Sequence, residues 1–161
     1  MGVSGCGKST LGTVLAKALD CAFLEGDAFH SVEAVEKMRA GQALSDADRW
    51  PWLDRLGEAA AKAVSERGRV VVACSALKVV YRDRLRAAIG APVRFALLQA
   101  SREKLYARMK NRPGHYMPAS LLDSQLATLE YPLDRENALV LDSEESLEIL
   151  RDRVLTAFRG H

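Results

Sequence analysis

Eight residues near the start, Gly2-Val3-Ser4-Gly5-Cys6-Gly7-Lys8-Ser9, constrain this chain more than any other stretch. Two glycines separated by four residues and followed by Lys and Ser satisfy the Walker A pattern. A chance match in a chain of this length is on the order of one in a hundred. The pattern has a physical basis: a triphosphate is held largely by backbone N–H groups. Glycines let the main chain curl close to it, and the helix that follows turns its positive end toward the anion. The predicted nucleotide-binding residues are Gly2, Val3, Ser4, Gly5, Cys6, Gly7, Lys8, Ser9 and Thr10. Lys8 is expected to reach the β- and γ-phosphates and the Ser9 hydroxyl to ligate Mg²⁺. A glycine-rich turn that merely caps a helix would not need Lys followed by Ser.

At 161 residues, 48% apolar and 27% charged, the chain suits one domain, 1–161, with a substantial core. A net charge of +2 gives no argument for nucleic acid or an anionic membrane as partner. No apolar run approaches the ~20 residues that span a bilayer, and the reading is a cytoplasmic protein. Three scattered cysteines, Cys6, Cys21 and Cys74, fit reduced thiols rather than a zinc site. Cys6 is read as a small loop-filling side chain.

Apolar runs at 21–24, 70–74, 93–98 and 139–141 read as strands. Helical patterns follow the loop and cover 31–40, a long segment after the polar turn 45–48, then 78–88, 101–110, 119–130 and the C-terminal end. This alternation predicts an α/β fold, a parallel sheet with helices on both faces. A P-loop normally joins a central strand to its helix, and the roughly five residues of that strand are missing here. The expectation is that Met1 is internal to a longer product whose upstream residues supply the strand, with trimming as the alternative.

The loop alone names no substrate, and the guanine-selecting Asn-Lys-x-Asp is absent. The stretches "MGVSGCGKST", "FLEGDAFH", "VEKMRAGQALSDADRWPWL", "VVACSALKVVYRDRLR" and "ARMKNRPGHYMPASLLDSQLATLEYP" together resemble the P-loop gluconate kinases. "CSALK" followed by Tyr-Arg-Asp, and Trp-Pro-Trp after "DADR", are the most specific of them. The resemblance implies a three-layer P-loop kinase fold with a helical lid at roughly 108–130. It also implies transfer of the γ-phosphoryl group of ATP to the 6-hydroxyl of D-gluconate, Mg²⁺ dependence and a homodimer. Cys6 stands where serine is common in that family, and Pro113 stiffens the lid segment.

Within that resemblance, Asp27 is expected to orient or accept the proton of the acceptor hydroxyl. Glu25 would hold Mg²⁺ through water, and His30 would touch substrate. A carboxylate-bearing polyol needs a cation, for which Arg49 and Lys78 are the best candidates and Arg82 a weaker one, since it can also pair with Asp83 or a Glu neighbour. Trp50 and Trp52 read as core packing that fixes the loop carrying Arg49. Lys104, Arg108 and Arg112 fall at four-residue steps and run into "RPGHYMP", a lid-like segment. Arg108 is assigned to the adenine or phosphate side, Arg112 to the transferring phosphoryl group as a catalytic residue beside Lys8 and Asp27, and His115 and Gln125 to the closed site. The alternatives are a related small-molecule kinase resembling shikimate kinase and an ATP-binding regulatory protein without kinase activity.

Overall fold

The computed structural model describes residues 1–111 and 118–159. Among these, four parallel strands alternate with helices, as the apolar runs predict: β1 (Ala22–Glu25), β2 (Val70–Ala73), β3 (Ala96–Gln99) and β4 (Leu139–Asp142). The α-helices among the described residues are α1 (Lys8–Ala18), α2 (Val32–Arg39), α3 (Asp46–Arg67), α4 (Val79–Ile89), α5 (Arg102–Lys110), α6 (Leu122–Thr128) and α7 (Leu147–Ala157).

Local chemistry sets the helix ends. Ser31, Ser45, Ser101 and Ser146 each accept a backbone N–H at the start of a helix, and at α3 Asp48 reciprocates to complete a capping box. Gly68 ends α3 at φ 80°, in the left-handed region where glycine has no Cβ penalty.

The strands pair as two two-stranded units, β1 with β2 and β3 with β4. The expected sheet lacking its first strand therefore takes a definite form. Met1 nitrogen donates to Ala96 O at 2.6 Å and Met1 O accepts from Leu98 N at 3.0 Å, the parallel pattern that flanks Leu97. Gly2 N donates to Ser75 O at 3.1 Å, just beyond β2. These two residues bridge the pairs and deliver the chain into the glycine loop. β3 begins at Ala96 rather than Val93 because its ladder starts where Met1 and β4 meet it.

Helices cover both faces of the sheet, with α1 packed on β1, β2 and α7, and α3 packed on α4. Leu11, Leu15, Leu53, Leu56, Leu77, Leu85, Leu98 and Leu141 belong to one buried cluster. The α3–α4 crossing is tight at Gly57, where an added Cβ would lie 2.5 Å from the Ala88 Cβ. Gly57→Ala is expected to lower stability by about 1–2 kcal/mol in urea unfolding, because overpacking of about 1–3 kcal/mol outweighs a helix-propensity gain of about 1.

Candidate functional site

The glycine loop runs from the bridge at Met1 and Gly2 into α1. Gly2, Gly5 and Gly7 all have positive φ, at 139°, 82° and 98°. A Cβ on Gly2 would stand 2.8 Å from Leu98 O and 2.9 Å from Cys6 Sγ. At Gly7 the space is open, so backbone conformation is what requires glycine there. No side chain caps α1, so its first amides face the loop. Lys8 Nζ donates to Val3 O at 3.0 Å, and Cys6 is buried as the loop filler expected of it. Ser4 N donates to Gln125 Oε1 at 2.7 Å, which ties α6 to the back of the loop.

Ser9 opens α1 and Glu25 closes β1, and the Ser9 hydroxyl donates to the Glu25 carboxylate. A hydroxyl and a carboxylate held together at a phosphate loop are hard oxygen donors, the type that suits Mg²⁺. These residues fit the metal assigned to them.

Beside the glycine loop lies a cleft of about 340 Å³ lined by Gly5, Thr10, Arg108, Ser143, Glu145 and Leu147 among others. Arg108 Nη1 donates to Gly5 O and to Ser143 Oγ, each at 3.2 Å, and Lys104 pairs with Glu144 at 2.6 Å. The four-residue stripe therefore docks on the loop after β4 at these two positions. Sequence reasoning singled out none of Ser143, Glu145 and Leu147 as lining this cleft. The signal was available: they follow the carboxyl end of a parallel strand, where such sheets bind ligands.

The other side of the site is built on the turn after β1. Gly26 is held there because a Cβ would fall 2.4 Å from Ala73 O. Residues Gly26–Phe29 form one 3₁₀ turn that carries Asp27. Helix α3 clamps it at both ends: Trp52 Nε1 donates to Gly26 O at 2.7 Å, and Arg55 Nε and Nη2 donate to Phe29 O at 3.0 and 2.8 Å. Trp52 also stacks on the His30 ring, centroids 4.2 Å apart. The tryptophans were expected to brace a loop, but Arg49, Trp50 and Trp52 lie within α3 itself. Trp52 is the buried one, and Trp50 lies between Tyr81 and the Arg84 guanidinium.

His30 Nδ1 is buried with no hydrogen-bond partner among the described residues. Burial pushes its pKa down to about 4, with the charges of Arg49 and Arg55 adding to that and Asp27 opposing it. The ring is therefore neutral at physiological pH. Its NMR titration is expected to have a midpoint near 4 rather than 6.5. Between those values the unfolded chain binds the extra proton, so stability falls as pH drops through the window.

Arg49 and Lys78 come together with two residues not foreseen, Asp46 and Tyr81. Lys78 Nζ lies 3.0 Å from Asp46 Oδ1, and Arg49 Nη1 donates to the Tyr81 hydroxyl at 3.2 Å. Tyr81 donates its own proton to Asp46. Hydrogen bonds from Tyr81 and Lys78 hold the Asp46 pKa below its ordinary value, while burial first and Asp46 second raise that of Tyr81.

Arg82 is a correction. Its side chain is 0% exposed, and all five of its N–H donors are engaged: Nε and Nη2 to the Glu136 carboxylate, Nη1 to Ala76 O and Leu77 O, and Nη2 to Glu130 O. Such a guanidinium has nothing left for a substrate. Of the partners considered for it, Asp83 pairs with Arg86 and Arg135, and a glutamate, Glu136, takes the guanidinium. Arg112 and His115 lie outside the described residues.

A family described as an AAA domain matches residues 1–132. The chain is 43% identical over 160 residues to a gluconokinase of Gluconobacter oxydans, a match covering 99% of this chain and 89% of that protein. The solved structure of a gluconokinase from Sinorhizobium meliloti superposes with TM-score 0.84 at 44% identity, over 98% of this chain and 87% of the other. A sugar kinase from Janibacter superposes with TM-score 0.89 at 46% identity, over 97% of this chain and 90% of that one. With its α/β P-loop kinase fold and parallel strands, the chain belongs to the gluconokinase family.

Proposed function

We infer that this protein transfers the γ-phosphoryl group of ATP to the 6-hydroxyl of D-gluconate, giving 6-phosphogluconate and ADP. One observation carries the reading. At the edge of the sheet that bears the P-loop, the acceptor side offers a carboxylate (Asp27), a neutral imidazole with a buried unbonded nitrogen (His30), and a guanidinium that donates to a phenol among the described residues (Arg49). Those are the groups a polyhydroxylated carboxylate needs: a cation for its acid, a donor or acceptor for its hydroxyls, and a base for the hydroxyl that reacts.

Asp27 orients the acceptor hydroxyl and takes its proton as the P–O bond forms. Lys8 and the loop amides hold the β- and γ-phosphates in line with that oxygen. Ser9 and Glu25 would hold a Mg²⁺ ion, which offsets phosphate charge when bound. Arg108, already against Gly5 O, marks the nucleotide side. Gln125 fixes the loop from behind. Arg112 and His115 belong to the lid in this reading, which spans roughly 108–130 of a single domain. The homodimer and the cytoplasmic location are part of the same proposal, and three free thiols, Cys6, Cys21 and Cys74, support the latter.

The test is ADP release with Mg-ATP and D-gluconate, against no acceptor and against shikimate. Release driven by gluconate alone is the expected result. Equal release in all three would overturn the acceptor assignment, and the absence of any acceptor-stimulated release would favour a regulatory nucleotide-binding protein.

A further inference from the structure

Four side chains from the starts of two helices converge at the acceptor side, Asp46 and Arg49 from α3, Lys78 and Tyr81 from α4. The Lys78 ammonium contacts both Asp46 oxygens, at 3.0 and 3.4 Å. Tyr81 is 1% exposed and so a fixed post, with the Arg49 guanidinium 5.2 Å and the Lys78 ammonium 5.6 Å from its ring centroid. The cluster holds two positive charges and one negative. Nearby pairs, Lys37 with Asp48 and Arg84 with Asp54, cancel themselves. Arg49 has no carboxylate partner among the described residues. Asp46 is not needed to cap α3, because Ser45 and Asp48 already form the capping box, and both of its oxygens turn to α4.

We propose that Asp46 determines the charge specificity of the acceptor site: by neutralising Lys78 it leaves one net positive charge, on Arg49, and so admits a single carboxylate while disfavouring a phosphate dianion. The inference rests on the acceptor assignment above. Its chemical sense lies in the product. A phosphorylated sugar acid is anionic at both ends, and turned end for end it would set its phosphate against the cations. Two uncompensated cations would retain it there and block the site. One cation with a carboxylate alongside does not.

Asp46→Asn tests this, with Asp46→Glu as the charge-conserving control. At saturating Mg-ATP, which fills the P-loop, glucose 6-phosphate serves as a dianion competing with gluconate. In the Asn variant its inhibition constant is expected to fall by about tenfold, a modest value for one charge because the cluster is partly solvated. Gluconate, with half the charge, should show a change of only about threefold in KM. The Glu variant keeps the negative charge and should therefore keep the parent's weak inhibition by glucose 6-phosphate, whatever the longer side chain does to gluconate turnover. Calorimetric binding of glucose 6-phosphate beside a non-hydrolysable ATP analogue gives the same comparison without turnover. Dianion affinity unchanged or weakened in Asp46→Asn would overturn the proposal and leave Asp46 as a brace for Lys78. A parent protein that does not phosphorylate gluconate would instead overturn the acceptor reading, while the calorimetry still reports on Asp46.

Discussion

Replacing Arg82 by Met is expected to destabilise the protein by about 3–5 kcal/mol, the cost of leaving a buried carboxylate without its partner. Glu136 is the group left behind. Its side chain is 0% exposed, and Arg86 at 3.3 Å would be its remaining cation. The Arg82 hydrogen bonds hold the Glu136 pKa down to about 2 in spite of burial. Its folded value lies below the unfolded one, so the pair's contribution is fully present above about 4.5 and is lost as pH falls toward 2. The double variant Arg82→Met with Glu136→Leu should recover much of the loss, because it removes the orphaned charge as well. Urea unfolding of the two single variants and the double would measure the coupling.

Activity should suffer too, through a different contact. Ala76 sits at φ 45°, an uncommon conformation for a residue with a Cβ, and Arg82 Nη1 grips both its carbonyl and that of Leu77. Lys78 follows directly. The Glu130 carboxylate accepts Val79 N at 2.7 Å and the Glu130 amide donates to Leu77 O at 2.8 Å, so the end of the α6 segment caps α4 from outside. Loss of Arg82 loosens the loop that presents Lys78. KM for gluconate should rise even at temperatures where the variant is folded.

What could be read from the sequence follows the range of the interactions. The P-loop is legible because its chemistry is local: glycines, Lys and Ser within eight residues carry both the conformation and the ligands. Helix ends are legible for the same reason, as at Ser45 and Gly68. Arg82 was left between substrate contact and ion pair because its partner Glu136 is 54 residues away, and a helix pattern cannot tell a paired buried arginine from one aimed at a ligand. The Asp46 to Tyr81 contact spans 35 residues and was equally hidden. The helix expected over 119–130 became a 3₁₀ turn at Ala119–Leu121 followed by α6, which ends at Thr128 because tertiary contacts recruit Glu130 to α4. Family resemblance supplied Asp27 and His30, and periodicity alone would not have.

Asp27→Asn is expected to lower kcat by about 10²–10⁴, the usual range for a positioned general base, with KM for gluconate shifted by little. The substitution separates chemistry from structure because, among the described residues, no side chain caps the 3₁₀ turn, and it is the Asp27 main-chain carbonyl that accepts from His30 N. The turn is clamped by Trp52 and Arg55 through the backbone of Gly26 and Phe29, contacts that the amide leaves in place. Thermal stability should therefore move by no more than about 0.5 kcal/mol. The size of the rate loss then carries information. Asparagine can still accept a hydrogen bond from the acceptor hydroxyl but cannot take its proton. In a loose phosphoryl-transfer transition state the proton leaves late, and orientation provides much of the catalysis. A loss near 10² would assign Asp27 mainly to orienting the hydroxyl, and one near 10⁴ to proton acceptance. An unchanged kcat would remove Asp27 from the reaction altogether.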